Sequence, residues 1–274
     1  MPAENTSLYA QWTTSAYELT VIADENGSIT SPAASPVNVA HGIPATITAS
    51  ADSGYTFMEW SVTSGSAAIE NENEINTTVT LEAGAATVTA AFDDITPPNI
   101  PVVSPDSDLR TADTTLTWTW SSGGGGDGTF RYKLNSDDFD SGYTEISDTN
   151  LTLSSLSDDN YTLFVIERDA SGNWSSAGNS GTRTVDTTAP NPPSVSCNSS
   201  QMDTTPTWIW SSGGSAGGST DDSGSGTYQY GLDNNSFSES SPTPSTATSW
   251  TPSGNLSEGS HTLHVRERDE AGNW

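Results

Sequence analysis

The chain of 274 residues has one cysteine, one lysine and three histidines, and each scarcity removes a class of protein. Cys197 alone cannot build a disulfide framework, so any folded module must be stable without cross-links. Lys133 is the sole lysine, and seven basic residues face 35 acidic ones for a formal net charge of −28. A polyanion would meet repulsion almost everywhere, which excludes nucleic acid as a partner, whereas divalent cations would be attracted and salt would stabilise by screening. No run approaches 18 apolar residues and no charged segment followed by an apolar one precedes the first expected strand. Neither a membrane span nor a signal peptide is therefore expected. Hydrophobic residues make up only 32%. That is too few for one large core, and the length suits two or three modules of roughly 70 to 100 residues.

The histidines also test for an enzyme. His261 and His264 lie three apart on an expected strand, hence on opposite faces, and cannot share a metal. His41 precedes Gly42 in an expected turn with no carboxylate or cysteine nearby in sequence. Carboxylates of the kind that pair for glycoside hydrolysis fall in expected turns and linkers and recur between modules. The expectation is a non-enzymatic protein.

What is abundant is aromatic surface: nine Trp, eight Tyr and six Phe, spaced along the chain as in folded beads. A repeat of about 90 residues occupies the second half. In the first copy Thr96 to Pro101 is TPPNIP, Leu116 to Ser122 is LTWTWSS and Glu167 to Trp174 is ERDASGNW. In the second, Thr188 to Pro193 is TAPNPP, Pro206 to Ser212 is PTWIWSS and Glu267 to Trp274 is ERDEAGNW. The first copy continues through the alternating strand Gly181 to Val185, whose counterpart the second lacks. Met1 to Trp12 resembles the tail of another module. The chain is thus expected to be part of a longer protein.

Alternation places Leu116, Trp118 and Trp120 on one face of a strand and Thr115, Thr117 and Thr119 on the other. Leu163 and Val165, with Leu263 and Val265 in the second copy, supply the opposing face of a two-sheet sandwich of about seven strands. The glycine-rich runs at 123 to 128 and 213 to 226 differ in length and are expected to be exposed loops without a packed role. Before the repeat, alternating runs predict strands at Tyr17 to Ala23, Ala45 to Ala51, Tyr55 to Val62, Thr77 to Leu81 and Ala86 to Phe92, punctuated by Asn26-Gly27, Ser53-Gly54 and Ala83-Gly84. The fold class is all-β. The expected division is residues 1–13 (tail of a preceding B-repeat), 14–92, 93–186 and 187–274.

The motifs ENGSI at Glu25 to Ile29, SADSGYTFMEW at Ser50 to Trp60 and ATVTAAF at Ala86 to Phe92 resemble the divergent branch of the internalin-type B-repeats, modules of bacterial surface and secreted proteins. The repeated halves resemble bacterial immunoglobulin-like or fibronectin type III-like domains. The likeness rests on the corners Leu156 to Val165 and Leu256 to Val265, each followed by Asp-x-x-Gly-Asn. In such folds the corner aromatic bonds the backbone upstream; Tyr161 fills that place once and His261 the second time.

If the resemblance holds, Asp169 should approach Asp93 and Asp94, while Asp269, Asp186 and Asp113 should share one inter-domain hinge. Calcium, a hard cation taking several oxygen ligands, is the cofactor such carboxylates would bind. The competing reading makes these aspartates turn caps. Trp174 and Trp250 are the two tryptophans weighed for ligand contact; Trp118, Trp120, Trp208 and Trp210 are assigned to the core. The resulting expectation is extracellular stalk and adhesion modules of a bacterial cell surface, monomeric beads whose partner is a host or neighbouring-cell protein or glycan. The alternative is a set of carbohydrate-binding modules on a secreted enzyme.

Overall fold

The computed structural model describes residues 14–106, 108–198, 203–214, 224–238 and 242–274. The expected B-repeat tail at 1–13 lies outside them. Every regular element among the described residues is a strand, and they group into two units. One runs to Pro97 and includes residues 170–173; the other holds 98–169 and 174–274.

The first unit is built from β1 (Ala16–Ala23), β2 (Gly27–Ser31), β3 (Val37–Ala40), β4 (Ala45–Ala51), β5 (Tyr55–Ile69) and β6 (Asn76–Asp94). One sheet of order β2-β4-β6-β1-β3 has β5 along the other edge of β6. β1 runs parallel to β6; the remaining pairs are antiparallel. Leu19, Val21, Ile47, Trp60, Val79, Leu81, Val88 and Phe92 form its core. The Trp60 indole, buried within it, donates to the Glu74 carbonyl at 3.1 Å.

The alternation predicts two separate strands where β6 runs unbroken, and the boundary expected at 92 falls later because β6 continues to Asp94. Leu81 and Ala86 explain why one strand suffices. They stand an odd number of residues apart, which in a regular strand means opposite faces, yet both are buried. The ladder absorbs the mismatch in a bulge: Ser64 pairs with Thr87 while Ser66 pairs with Ala83, two residues of β5 facing four of β6. Gly65 makes this possible at a φ of +79°, with no room for a Cβ against the Ala85 carbonyl.

In the second unit the first repeat copy contributes β7 (Val102–Pro105), β8 (Arg110–Thr111), β9 (Leu116–Ser121), β10 (Thr129–Leu134), β11 (Thr144–Ile146), β12 (Asn150–Leu153), β13 (Asp159–Tyr161), β14 (Leu163–Arg168), β15 (Gly178–Asn179) and β16 (Arg183–Val185). Sheets β12-β9-β7 and β11-β10-β14-β15 sandwich a core of Leu116, Trp118, Trp120, Phe130, Tyr161, Leu163, Val165 and Val185, and a smaller sheet β13-β16-β8 adjoins them. The second copy contributes β17 (Ser194–Asn198), β18 (Thr207–Ser211), β19 (Gly224–Leu232), β20 (Ser249–Trp250) and β21 (Leu263–Asp269), in sheets β17-β18-β20 and β19-β21. Its core repeats the pattern with Trp208, Trp210, Tyr228 and Leu263. The tryptophans expected to be core are buried in both copies.

The glycine-rich runs correct the expectation of purely exposed loops. Glu167 and Glu267 are buried, and Gly126 and Gly224 lie directly against their carboxyl groups, where any Cβ would collide. Glycine lets the main chain close over the carboxylate; Ser122 donates to Glu167 Oε2 at 2.7 Å, and the Gly226 N–H donates to Glu267 Oε1 at 3.3 Å. Burial, reinforced by Glu267, pushes the neighbouring Tyr228 hydroxyl above its ordinary range.

Gly65→Ala should destabilise the first unit by about 2 to 4 kcal/mol, the sum of the positive-φ and overpacking costs. Gly84→Ala, at a φ of +71° with open space around it, should cost about 1 kcal/mol. Denaturant unfolding of the two variants beside the parent checks the ranking; equal costs would mean the Gly65 approach does not hold the bulge.

Candidate functional site

The Asp-x-x-Gly-Asn turn of the second copy makes the joint between the two sandwiches of the second unit. Asp269, at the end of β21, is almost fully buried. Its Oδ1 accepts from the Gly272 and Asn273 main-chain N–H groups at 2.7 and 2.8 Å, and its Oδ2 accepts from the Asn273 side-chain amide at 2.9 Å. Held this way, the same amide donates to the Asp186 carbonyl at 2.8 Å. Asp186 comes directly after β16, so a turn of the second copy grips the exit of the first.

Further contacts stitch the same place. Ala112 N–H donates to the Ala271 carbonyl at 3.1 Å, and Asp186 N–H to the Thr111 carbonyl at 2.9 Å. Arg110 reaches Asp186 Oδ2 at 3.5 Å and Glu270 Oε2 at 3.9 Å. Asp186 is fully buried and Glu270 mostly exposed, so the first contact carries more weight. Asp186 Oδ1 also accepts from Thr188 N–H at 3.1 Å, which turns the chain into the proline-bearing linker.

The other aspartates weighed for calcium make contacts of their own. Asp113 is exposed and caps its own turn, accepting from Thr115 N–H at 2.8 Å. Asp93 and Asp94 end β6; Asp94 Oδ1 accepts from Thr96 N–H at 2.8 Å, and the Asp94 carbonyl accepts from the Asn173 amide at 2.9 Å. That last bond repeats the Asn273 arrangement, within the first unit, to which residues 170–173 belong. Asp169 is buried where it opens its turn, directly after β14. Among the described residues no three His, Cys, Asp or Glu side chains come together so as to hold a metal ion.

Both tryptophans weighed for ligand contact have faces covered by the chain itself. The Arg131 guanidinium lies 3.9 Å from the Trp174 ring centre and 4.1 Å from that of Tyr143. Trp250 stacks on Trp208 with centroids 5.6 Å apart and pairs with it across β18 and β20, the place Leu151 takes opposite Trp118.

A second ionisable arrangement, with no counterpart among the expected sites, lies at the corner of the second copy. In the first copy Tyr161 Oη donates to the Ser157 carbonyl at 2.9 Å, as its corner position implies. His261 Nε2 meets the Ser257 carbonyl at 3.0 Å in the same way, but His261 Nδ1 also meets Asp233 Oδ2 at 2.6 Å. In the first copy Asn135 stands for Asp233: each is at positive φ, and each accepts from a Thr N–H, that of Thr162 or Thr262, at 2.7 Å. Neutral Asn135 and Tyr161 are thus replaced by the ionisable, mutually bonded Asp233 and His261. The hydrogen bond that His261 makes to the Asp233 carboxylate, and then the one to the Ser257 carbonyl, raise the His261 pKa, and the His261 bond lowers that of Asp233. Comparing the corners shows the substitution at 261 in the sequence; nothing there brings Asp233 to it.

Comparison with known proteins bears on the first unit. Residues 17–96 match the family model of the divergent InlB B-repeat domain, in agreement with the resemblance drawn from the motifs. No curated protein matches. Among solved structures the chain is similar to the extracellular domain of a candidate one component system from B. thetaiotaomicron, at 10% identity and a TM-score of 0.25, with 59% of this chain and 27% of that one covered. The chain thus spans about a quarter of that protein's length.

The shifts fix a pH window. A histidine whose pKa is raised on folding lends stability that is complete below the unfolded value of 6.5 and lost as pH rises through the folded value. An aspartate whose pKa is lowered lends stability that is present above 3.8 and lost as pH falls through the folded value. The second sandwich should therefore be most stable between those limits and soften in mild alkali. Thermal unfolding at pH 5.5 and 8.5 should show a drop that the double variant Asp233→Asn, His261→Tyr, which copies the first sandwich, lacks.

Proposed function

We propose that the chain is a run of extracellular stalk modules from a bacterial surface protein, non-enzymatic, which carries an adhesive partner site for a host or neighbouring-cell protein or glycan at a set distance from the cell. The observation that carries this reading is the Asn273 clasp, since a joint closed by several partly buried hydrogen bonds limits bending between successive sandwiches. The B-repeat match of residues 17–96 supports the bacterial surface setting, and the net charge of −28 suits an extended soluble protein. The two sandwiches act as immunoglobulin-like spacers. The carbohydrate-binding alternative loses ground because Arg131 covers Trp174 and Trp208 covers Trp250.

Stiffening in this proposal comes from the protein's own amides and Arg110, which take up the carboxylates that calcium was expected to bridge. Asn273→Ala should loosen the joint while leaving each sandwich folded. Losing two hydrogen bonds should cost about 1 to 3 kcal/mol. Small-angle scattering should show a broader distribution of chain dimensions, and proteolysis within Thr187 to Pro193 should quicken. Unfolding in excess calcium and in chelator should give the same midpoint. A midpoint that rises in calcium, and loses that rise in Asp186→Ala, Asp269→Ala, would replace the direct clasp by a calcium-bridged joint.

A further inference from the structure

Four asparagines lie in the pattern Asp/Glu-x-Asn-x-Ser/Thr: Asp24 to Ser28 is DENGS, Glu74 to Thr78 is EINTT, Asp148 to Thr152 is DTNLT and Asp158 to Thr162 is DDNYT. Asn-x-Ser/Thr is the acceptor pattern for N-glycosylation. In a chain so rich in acids, serine and threonine the pattern recurs through composition, so the fold decides which copy is presented. Asn26 is half-buried, and the Gly27 after it lies against the Phe92 ring. Asn76 pairs with Thr48 of β4, whose hydroxyl donates to its Oδ1 at 3.1 Å, and the Thr78 hydroxyl is taken by Glu70 at 2.8 Å. Asn160 Oδ1 accepts from the Thr184 hydroxyl at 2.6 Å, and Tyr161 beside it belongs to the core. Asn150 differs from all three. It is exposed, and its side chain forms no hydrogen bond with any described residue. Asp148 and Thr152, two residues before and after it, are exposed as well. β12, which Asn150 opens, ends the sheet β12-β9-β7, so Asn150, Leu151 and Thr152 are extended with their outer main-chain edge unpaired. In the second copy Ser249 takes this place, preceding Trp250 opposite Trp208 as Asn150 precedes Leu151 opposite Trp118.

We propose that Asn150 is an N-glycosylation site which takes its glycan from a lipid-diphosphate-linked oligosaccharide, and that Asp148 supplies the anionic contact by which a transferase with a cationic acceptor groove holds the segment. The Asn150 Nδ2 bonds to the anomeric carbon of the donor, and the bond from that carbon to the diphosphate oxygen breaks. The lipid diphosphate leaves with the electron pair, and the amide gives one proton to a base of the transferase. An extended segment with an open edge is laid against an enzyme through its main chain while alternate side chains are read by pockets. The Thr152 hydroxyl shares one exposed hydrogen bond with the Thr117 hydroxyl at 2.9 Å, which it exchanges for a contact in the groove. The product stands on an edge strand carrying Leu151 and Leu153, where a bulky hydrated group bars pairing with another chain. This inference shares with the stalk reading only an exported setting. Purified components replace that setting in the test, so its failure leaves the stalk reading in place.

The folded chain is incubated with a purified bacterial oligosaccharyltransferase and its lipid-linked oligosaccharide, and the occupancy of each asparagine is followed by peptide mass mapping. Asn150 should be modified, and Asn76 at least about tenfold more slowly, because that site must first open from its strand pairing. Thr152→Ala should abolish the modification. Asp148→Asn should slow it about tenfold and Asp148→Glu should restore it, as the loss and return of a charge-assisted contact give. Asn150→Gln should lose the glycan with an unchanged unfolding midpoint, which separates loss of the acceptor from loss of the fold. Heat-unfolded chain should take glycan at Asn76 and Asn160 as well. A folded chain left unmodified at Asn150, or modified no faster there than at Asn76, would overturn the proposal, and an Asp148→Asn rate equal to that of the parent would overturn the part assigned to Asp148.

Discussion

The structure hangs on one ridge of alternating residues, Leu116-Trp118-Trp120 and its counterpart Trp208-Trp210. With only 32% hydrophobic residues, the chain cannot fill a sandwich with aliphatic side chains on every strand. Indoles supply the area instead, each burying as much as two smaller residues would. Opposite them stand Phe130 and Tyr132 in the first copy, and Tyr228 and Tyr230 in the second, at centroid distances of 5.1 to 6.4 Å. Because the ridge is one strand wide, its surroundings can be polar. Buried glutamates roofed by glycine loops, an asparagine clasp and an ionisable corner all sit at its margins.

The all-β class, the ridge and its opposing face are legible in the sequence because period-two alternation marks strands directly. So is the Asp-x-x-Gly-Asn turn, whose repetition at matched places singles it out without any knowledge of its bonding. The merging of two expected strands into β6 is not legible. Glycine reads there as punctuation, whereas Gly65 and Gly84 serve a bulge inside a long hairpin, and only the cross-strand register separates the two roles. β2 and β3 leave little trace in the pattern because their runs are short and border prolines. The packed role of the glycine loops is hidden for a related reason. Unequal length between copies suggests exposure, yet the contact that matters involves one residue of each loop, Gly126 or Gly224, over a glutamate distant in sequence.

Exchanges between the copies are paired across strands, which is where a single sequence misleads most. Arg131 on β10 faces Ile166 on β14; in the second copy Gln229 faces Arg266, so the arginine has crossed the ladder. In both copies it ends over the tryptophan after Gly-Asn, 3.9 Å from the Trp174 ring centre and 4.6 Å from that of Trp274. Gln229, fully buried, accepts from Arg266 at 2.6 and 2.9 Å and keeps the crossed arginine aimed at the ring. The exchange of Asn135 and Tyr161 for Asp233 and His261 keeps the bonds to the Thr N–H and the Ser carbonyl while placing ionisable groups at the corner.

Six of the seven cations of a chain carrying 35 acids hold such defined contacts. Arg131, Arg168, Arg266 and Arg268 approach the two tryptophans after Gly-Asn, and Arg110 ties the joint at Asp186. Lys133 donates to the Asp138 and Ser141 carbonyls at 2.7 and 2.8 Å, closing a loop rather than pairing an acid. Arg131 also pairs with Glu145 at 3.0 Å and Arg168 with Asp127 at 3.1 Å, yet so few cations leave most of the 35 acids uncompensated, and the negative field is a consequence of how sparingly positive charge is placed. Salt should then act on the modules mainly through screening of that field, because the contacts that define each sandwich are cation-aromatic, amide and apolar, which screening weakens least.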